Sequence, residues 1–203
     1  MPHITSAPLL LIVVGILSYL LGSIPFGLVI TRAMGLGDLR QIGSGNIGAT
    51  NVLRTGNKPA AAATLLLDAA KGAVAVLLAR ALVGQDAAQL AALCSFLGHL
   101  YPVWLRFKGG KGVATFLGTL LALSWPVGLA TCATWAVAVL LTRISSLGAL
   151  TAAALSTLWL VVFHQPKMVL LTALLTVLIY IRHWANLERI KQGTEPRIGA
   201  KKG

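Results

Sequence analysis

The sequence predicts an all-α polytopic membrane protein with seven transmembrane helices, some of them short. Of its 203 residues, 57% are hydrophobic and only 11% are charged. This composition is typical of membrane proteins and unlike that of a soluble domain. The apolar residues form runs separated by short polar stretches, and no linker is long enough to separate two domains. We therefore expect one membrane-embedded domain over residues 1–203.

The apolar runs place the individual spans. We expect spans at residues 8–30, 59–83, 87–105, 113–123, 127–142, 147–163 and 168–181. As one helix, the stretch 112–142 would extend about 46 Å, whereas the hydrocarbon core is about 30 Å thick. Ser124, Trp125 and Pro126 lie in its middle and provide a break.

The basic residues predict the orientation of the chain. The first of them, Arg32, follows the first apolar run, which predicts a retained span with an outside N-terminus rather than a cleaved signal. With seven spans, fourteen of the seventeen Lys and Arg residues lie inside and the C-terminus is cytoplasmic. Six spans would move Arg143 and the basic tail outside. The net charge of +12 thus indicates an inner membrane surface or anionic ligands, and not nucleic acid.

The sequence KGGKG, in the loop before residue 113, is the first candidate site. Its glycines allow a backbone to approach a ligand with N–H groups pointing inward, and its lysines supply charges for a phosphate. The apolar run from Val113 predicts a helix N-terminus at the same place, which also favours an anion. The alternative is a basic loop that only anchors the inner face of the membrane. The residues assigned here are Lys108, Gly109, Gly110, Lys111 and Gly112.

The sequence GSGNIGATN, in the first inner loop, is the second candidate site. It combines small residues, hydroxyls and amides, and we expect Ser44 to cap a helix that begins at Gly45. The alternative is a tight turn with an N-cap. No GxxxxGK[ST] motif occurs, so nucleotide hydrolysis is not indicated. The residues assigned here are Gly43, Ser44, Gly45, Asn46, Gly48, Thr50, Asn51 and Arg54.

Two further polar groups lie in or beside predicted spans. Asp68 and Lys71, followed by Gly72, share one face of the second span, and charges there usually point to the bundle interior and pair. They are either a structural ion pair or a third cation for the anion site, oriented by Asp68. In the tail, His183 is the group best placed for proton transfer near pH 7, with Asn186 on a nearby face. The alternative for the tail is an ordinary basic helix bound to anionic lipid.

These motifs together resemble the bacterial acyl-phosphate-dependent glycerol-3-phosphate acyltransferases. The resemblance implies an integral enzyme of the cell inner membrane, with seven helices and an active site on the cytoplasmic side. It covers most of the chain through GSIPFG (22–27), GSGNIGATN (43–51), DAAKG (68–72), GHLYPVWLRFKGGKGVAT (98–115) and HxxNxxRxxxGxE (183–195).

The resemblance also implies a reaction. A fatty acyl group would pass from acyl phosphate to the 1-hydroxyl of glycerol 3-phosphate, giving lysophosphatidic acid and phosphate in the first acylation step of phospholipid synthesis. The expected partners are both substrates, the lipid bilayer and the enzyme that forms acyl phosphate. Neither a cofactor nor a metal is expected, because the five acidic residues are scattered. By resemblance, Ser44, Thr50 and Asn51 line the pocket, Lys111 is central, and His183 and Asn186 contact glycerol 3-phosphate.

The group that accepts the hydroxyl proton is left open by the sequence. Acyl-CoA acyltransferases have an HxxxxD motif, but no histidine of this sequence has an aspartate five residues later. Either a substrate phosphate or His183 would take the proton, and Ser44 as a covalent nucleophile is a third option. The alternative function is a transporter or flippase for a phosphorylated metabolite or lipid, since such proteins also have interrupted helices. A CDP-alcohol phosphotransferase is disfavoured because it needs clustered carboxylates.

Overall fold

The computed structural model describes residues 3–199, which form α-helices joined by loops and short 3-10 turns. The chain divides into two compact units at the junction of Ser124 and Trp125. The N-terminal unit contains α1 (Pro8–Gly22), α2 (Phe26–Ala33), α3 (Ala49–Val52), α4 (Lys58–Leu82), α5 (Gln85–Leu100) and α6 (Val113–Leu123). The C-terminal unit contains α7 (Trp125–Thr142), α8 (Ser145–Val162), α9 (Val169–Arg182) and α10 (Trp184–Lys191).

The helices confirm an all-helical, polytopic membrane architecture. Within residues 3–199, one bent pair, Pro166–Arg182 with Trp184–Lys191, is a sixth candidate span if its two helices cross together. Helix α6 is apolar but has only 11 residues, a length of about 16 Å that does not by itself cross the hydrocarbon core. In the described part of the chain, five other segments are long and apolar enough: Pro8–Ala33, Lys58–Leu82, Gln85–Leu105, Trp125–Thr142 and Ser145–Val162.

One break in the apolar runs was predicted, and another was not. Helix α6 ends at Leu123 and α7 begins at Trp125, which confirms the break expected between the fourth and fifth runs. The other separates α1 from α2, within the run expected to be one continuous first span. Pro25 explains it, because proline has no N–H to continue α1 and disfavours the helical conformation of Ile24 before it.

Close contacts between helix backbones hold the N-terminal unit together. Where α1 crosses α5, a Cβ at Gly22 would overlap the Ser95 carbonyl oxygen, and a Cβ at Gly98 would overlap the Tyr19 carbonyl oxygen. Where α4 meets α6, a Cβ at Gly118 would overlap backbone atoms of α4. Lipid tails are as apolar as leucine, so helices in a membrane associate largely through such close packing of small residues. The glycines therefore fix the helix positions on which the loops depend.

We expect Gly22→Ala to destabilise the protein, because its methyl group meets backbone that cannot move without separating α1 from α5. The midpoint of thermal unfolding in detergent should fall by several degrees, consistent with an overpacking cost of about 1–3 kcal/mol. Gly15→Ala on the same helix is the matched control, because a Cβ there lies at an ordinary 3.5 Å from the Cys94 sulfur. Equal midpoints for the two variants would contradict the assigned helix contact.

Candidate functional site

The first glycine-rich loop, residues 36–57, packs onto α2 and α4 through its apolar side chains. Ile47 is 3% exposed, and a Cβ at Gly27 of α2 would overlap the Ile47 carbonyl oxygen. Leu105, which lies just before KGGKG, packs against the same buried cluster. The two glycine-rich loops are therefore neighbours in the N-terminal unit. The buried residues of the cluster are Leu28, Leu39, Ile47, Val52, Ala60 and Ala61.

Asn51 organises this loop from its centre. The Asn51 side chain is buried, and its amide nitrogen donates to the carbonyl oxygens of Leu39 and Ile42, both at 2.9 Å. The Asn51 amide oxygen accepts from the Ser44 N–H at 3.3 Å and from an Arg54 guanidinium nitrogen at 3.1 Å. The amide group is therefore engaged within the protein, so the structure places Asn51 as the support for Ser44 and Arg54 rather than as an exposed pocket residue.

The prediction that Ser44 caps a helix beginning at Gly45 is wrong. Gly43 and Gly45 have φ angles of 54° and 69°, so the chain turns through left-handed conformations here. The helix begins later, at Ala49, with Gly48 as its N-cap residue and no side-chain cap. The side chains of Ser44 and Thr50 are exposed, as is that of Arg54. Together with Asn46, which is half-buried, they form the accessible polar part of the loop.

In the second glycine-rich loop, residues 106–112, the first two glycines serve packing rather than anion binding. The Gly109 N–H donates to the Leu100 carbonyl oxygen at 3.0 Å, and the Gly110 N–H donates to the His99 carbonyl oxygen at 3.1 Å. A Cβ at either glycine would overlap atoms at the end of α5. The expectation that these two N–H groups cradle a phosphate is therefore corrected, because they already complete the C-terminus of α5.

The remaining features of this loop agree with the prediction made from the sequence. Helix α6 begins at Val113 as predicted, with Gly112 as its N-cap residue at a φ of 83°. A Cβ at Gly112 would overlap the Phe96 ring, so this glycine also allows a close approach to α5. The Lys108 side chain is exposed and that of Lys111 is half-buried. Two lysines thus lie within the five residues that precede α6.

Asp68, Lys71 and Gly72 lie inside the unit rather than at its surface. The Lys71 ammonium is 2.7 Å from the Asp68 carboxylate, and the side chains of these two residues are only 1% and 3% exposed. Gly72 packs against the methyl groups of Thr115 and Thr119. The structure favours the ion-pair interpretation, because none of these residues reaches the surface, and it leaves their contact with substrate untested.

In the C-terminal unit, the chain bends by 62° between α9 and α10. His183 occupies the bend and is 3% exposed, with its Nδ1 atom 2.8 Å from the Ile179 carbonyl oxygen. Because a carbonyl oxygen only accepts, Nδ1 carries the proton, and the lone pair of the neutral ring then resides on Nε2. This tautomer is suited to accepting a proton at Nε2.

A family model described as glycerol-3-phosphate acyltransferase matches residues 12–193 of the chain. A glycerol-3-phosphate acyltransferase of Cereibacter sphaeroides (strain ATCC 17025 / ATH 2.4.3) is 69% identical over 201 residues, covering 99% of this chain and 96% of the relative. A second relative with the same description, from Ruegeria pomeroyi, is 63% identical over 201 residues, with 99% of each chain covered. This chain belongs to the glycerol-3-phosphate acyltransferase family.

Two crystal structures extend the similarity to three dimensions. The glycerol 3-phosphate form of PlsY (YgiH), an integral membrane glycerol 3-phosphate acyltransferase, aligns with a TM-score of 0.88 and 41% identity, covering 93% of this chain and 96% of that one. The form with lysophosphatidic acid aligns with a TM-score of 0.87 and 40% identity, covering 93% and 95%. This chain is accordingly an integral, multi-pass membrane glycerol-3-phosphate acyltransferase.

Glu195 is a residue of this acyltransferase whose role the sequence did not reveal. Its carboxylate accepts hydrogen bonds from the Ser146 hydroxyl at 2.6 Å, the Asn186 amide at 2.5 Å and the Arg189 guanidinium at 2.7 Å. Nearby, Arg143 and Ile198 exchange two hydrogen bonds, at 2.7 and 2.9 Å. The tail therefore folds back onto the turn between α7 and α8. The only sequence signal was the spacing of Asn186, Arg189 and Glu195 in one motif.

The carboxyl of Glu195 titrates below its ordinary range. Burial raises its pKa, but the hydrogen bonds from Ser146, Asn186 and Arg189 favour the ionised form and leave the net pKa lowered. A carboxyl with a lowered folded-state pKa stabilises the fold above its unfolded pKa, and this stabilisation is lost as the pH falls toward the folded-state value.

We expect Glu195→Gln to reduce the pH dependence of stability. From pH 7 to below pH 4, the wild-type unfolding midpoint in detergent should fall by more than that of the variant, since only the wild type has this carboxylate to protonate. At pH 7 the variant should be the less stable protein, because Arg189 loses its charged partner. Glu188→Gln, on the exposed side of α10, is the control. An unchanged pH profile in Glu195→Gln would contradict the assigned network.

Proposed function

We propose that this acyltransferase uses acyl phosphate as its donor and acylates the 1-hydroxyl of glycerol 3-phosphate to form lysophosphatidic acid. The hydroxyl oxygen attacks the acyl carbon, a new C–O bond forms, and the bond to the phosphate oxygen breaks. Inorganic phosphate leaves with the electron pair, and the hydroxyl proton passes to a base. This is the first acylation step of phospholipid synthesis. The observation that carries the proposal is the packing of Leu105 beside the first loop, which brings two basic glycine-rich loops together.

The cations of the N-terminal unit are suited to two phosphate-bearing substrates. Lys108, Lys111 and Arg54 lie on the adjacent loops, and Asn51 holds Arg54 in place. We assign Lys111 and Arg54 to substrate phosphates and to the negative charge that develops on the leaving phosphate. The exposed hydroxyls of Ser44 and Thr50 would supplement them as donors. Acyl phosphate is a reactive mixed anhydride, so orientation of the two substrates contributes much of the rate.

Two groups compete for the role of base. The tautomer of His183 supports proton acceptance at Nε2, and the bond from Asn186 to Glu195 fixes a neighbouring amide donor for glycerol 3-phosphate. The alternative base is a phosphate oxygen of the substrate itself. Ser44 as a covalent nucleophile is less favoured, because its backbone is held by Asn51 and no described contact joins its hydroxyl to a base.

The proposed setting is the cell inner membrane. Seven membrane-embedded helices, with α6 as a short one and the α9–α10 pair as the last, would place the N-terminus outside and the C-terminus in the cytoplasm. This arrangement puts both glycine-rich loops on the cytoplasmic side, where the enzyme that forms acyl phosphate would deliver its product. The chain would act as a single domain over residues 1–203, without a cofactor or metal.

We expect purified protein in detergent to release phosphate only when palmitoyl phosphate and glycerol 3-phosphate are both present. Palmitoyl-CoA should not replace the donor, and EDTA should not inhibit. Lys111→Ala should lower kcat/KM at least a hundredfold, since a charged donor to the developing phosphate is lost. Lys167→Ala, distant in sequence from both loops, is the matched control and should retain normal turnover. Efficient use of the CoA donor would contradict the proposal.

A second experiment identifies the base. If His183 accepts the proton, His183→Ala should lower kcat at saturating substrate by a factor of about 10²–10⁴, the usual contribution of general base catalysis. The loss should be accompanied by a changed dependence of kcat on pH. Near-normal turnover at saturation would exclude His183 and leave the substrate phosphate as the base.

A further inference from the structure

A buried charged cluster lies between the two glycine-rich loops. Besides its contact with Asp68, the Lys71 ammonium donates to the Ile24 carbonyl oxygen at 2.8 Å and lies 5.8 Å from the centre of the Phe26 ring. The His99 Nδ1 atom is 3.6 Å from the same Asp68 oxygen. Three titratable side chains from α4 and α5 therefore meet in the interior, within reach of the break between α1 and α2.

One side of this cluster touches the KGGKG loop. His99 is 4% exposed, and its ring lies so close to Gly110 that a Cβ there would overlap the Nε2 atom. The Gly110 N–H also donates to the His99 carbonyl oxygen at 3.1 Å. The position of the His99 ring therefore sets the position of Gly110, and Lys111 is the next residue along the chain.

The other side of the cluster reaches the GSGNIGATN loop. Lys71 holds the Ile24 carbonyl oxygen immediately before α2. Gly27 in the first turn of α2 then packs against the backbone of Ile47. The contacts from Lys71 to Ile47 therefore connect the first loop to the buried cluster. His99 connects the second loop to the same cluster.

Stability alone does not account for a charged cluster at this position. Replacing a buried ion pair by apolar residues of similar volume is often neutral or stabilising, because desolvation offsets the attraction between the charges. What the charges add is directionality, since the Asp68 carboxylate holds the Lys71 ammonium at 2.7 Å and faces the His99 ring at 3.6 Å. A directional network is useful where the relative position of two loops must be set.

We propose that Asp68, Lys71 and His99 form a positioning network that sets the geometry of the two glycine-rich loops and thereby places the Lys111 ammonium for substrate phosphate. These three residues do not contact substrate; they act through Gly110 and through the start of α2. This proposal rests on the phosphate-binding role proposed above for Lys111. It adds that the affinity for glycerol 3-phosphate depends on groups buried beneath the site.

The test is a double-mutant cycle of His99→Leu and Lys111→Ala, with KM for glycerol 3-phosphate and kcat measured separately by phosphate release. His99→Leu should raise KM at least fivefold in the wild-type background and should have little further effect in Lys111→Ala, because the residue it positions is gone. His99→Asn, which keeps a polar group at the Nδ1 position, should have a KM between those of the wild type and His99→Leu. Ser95→Ala, one turn earlier on α5, is the control and should leave KM unchanged.

The charge-free variant Asp68→Leu/Lys71→Met covers the case in which His99→Leu fails to fold. It should show an unfolding midpoint close to that of the wild type and a KM raised at least fivefold. A normal KM in the folded variants would overturn the network. So would a double variant whose fold-change in KM equals the product of the fold-changes of His99→Leu and Lys111→Ala. A charge-free variant that does not fold would also overturn it, by making the cluster a folding requirement. Lys111→Ala with a normal kcat/KM would instead refute the role of Lys111.

Discussion

Buried backbone N–H and C=O groups need hydrogen-bond partners, and this constraint shapes both glycine-rich loops. In the first loop, the buried amide of Asn51 donates to the carbonyl oxygens of Leu39 and Ile42. In the second loop, two N–H groups donate hydrogen bonds to carbonyl oxygens at the end of α5. Irregular backbone is stable at these positions because nearby residues supply these hydrogen bonds.

Under the same constraint, glycines and charged residues have different roles in the two loops. Glycines that look like ligand-binding positions in the sequence turn out to allow backbone to approach backbone, as Gly109 and Gly110 do at α5. The side chains that remain accessible include those of Lys108 and Arg54, to which the proposed function assigns the anionic substrates. A rigid glycine-rich support with few exposed cations limits the reorganisation needed when substrates bind.

The sequence was most informative where a local pattern determines the structure. The apolar runs and Pro126 predicted the separation of α6 from α7, and the apolar run after Gly112 predicted the start of α6. It was less informative where partners are distant along the chain. Nothing local indicates that Glu195 contacts Ser146, or that His99 lies against Gly110. The Ser44 cap failed because two left-handed glycines overrode a residue preference.

The interruption of the first apolar run has a consequence for the buried lysine of α4. In an unbroken helix the Ile24 carbonyl oxygen would accept the N–H four residues later, but here Leu28 donates instead to Pro25. The Ile24 carbonyl oxygen accepts instead from the Phe26 N–H at 3.1 Å and from the Lys71 ammonium at 2.8 Å. Pro25 thus creates the acceptor for a lysine far away in the chain. The same ammonium is 2.7 Å from the Asp68 carboxylate, so the bend of the first apolar run and the ion pair inside α4 are joined through one lysine.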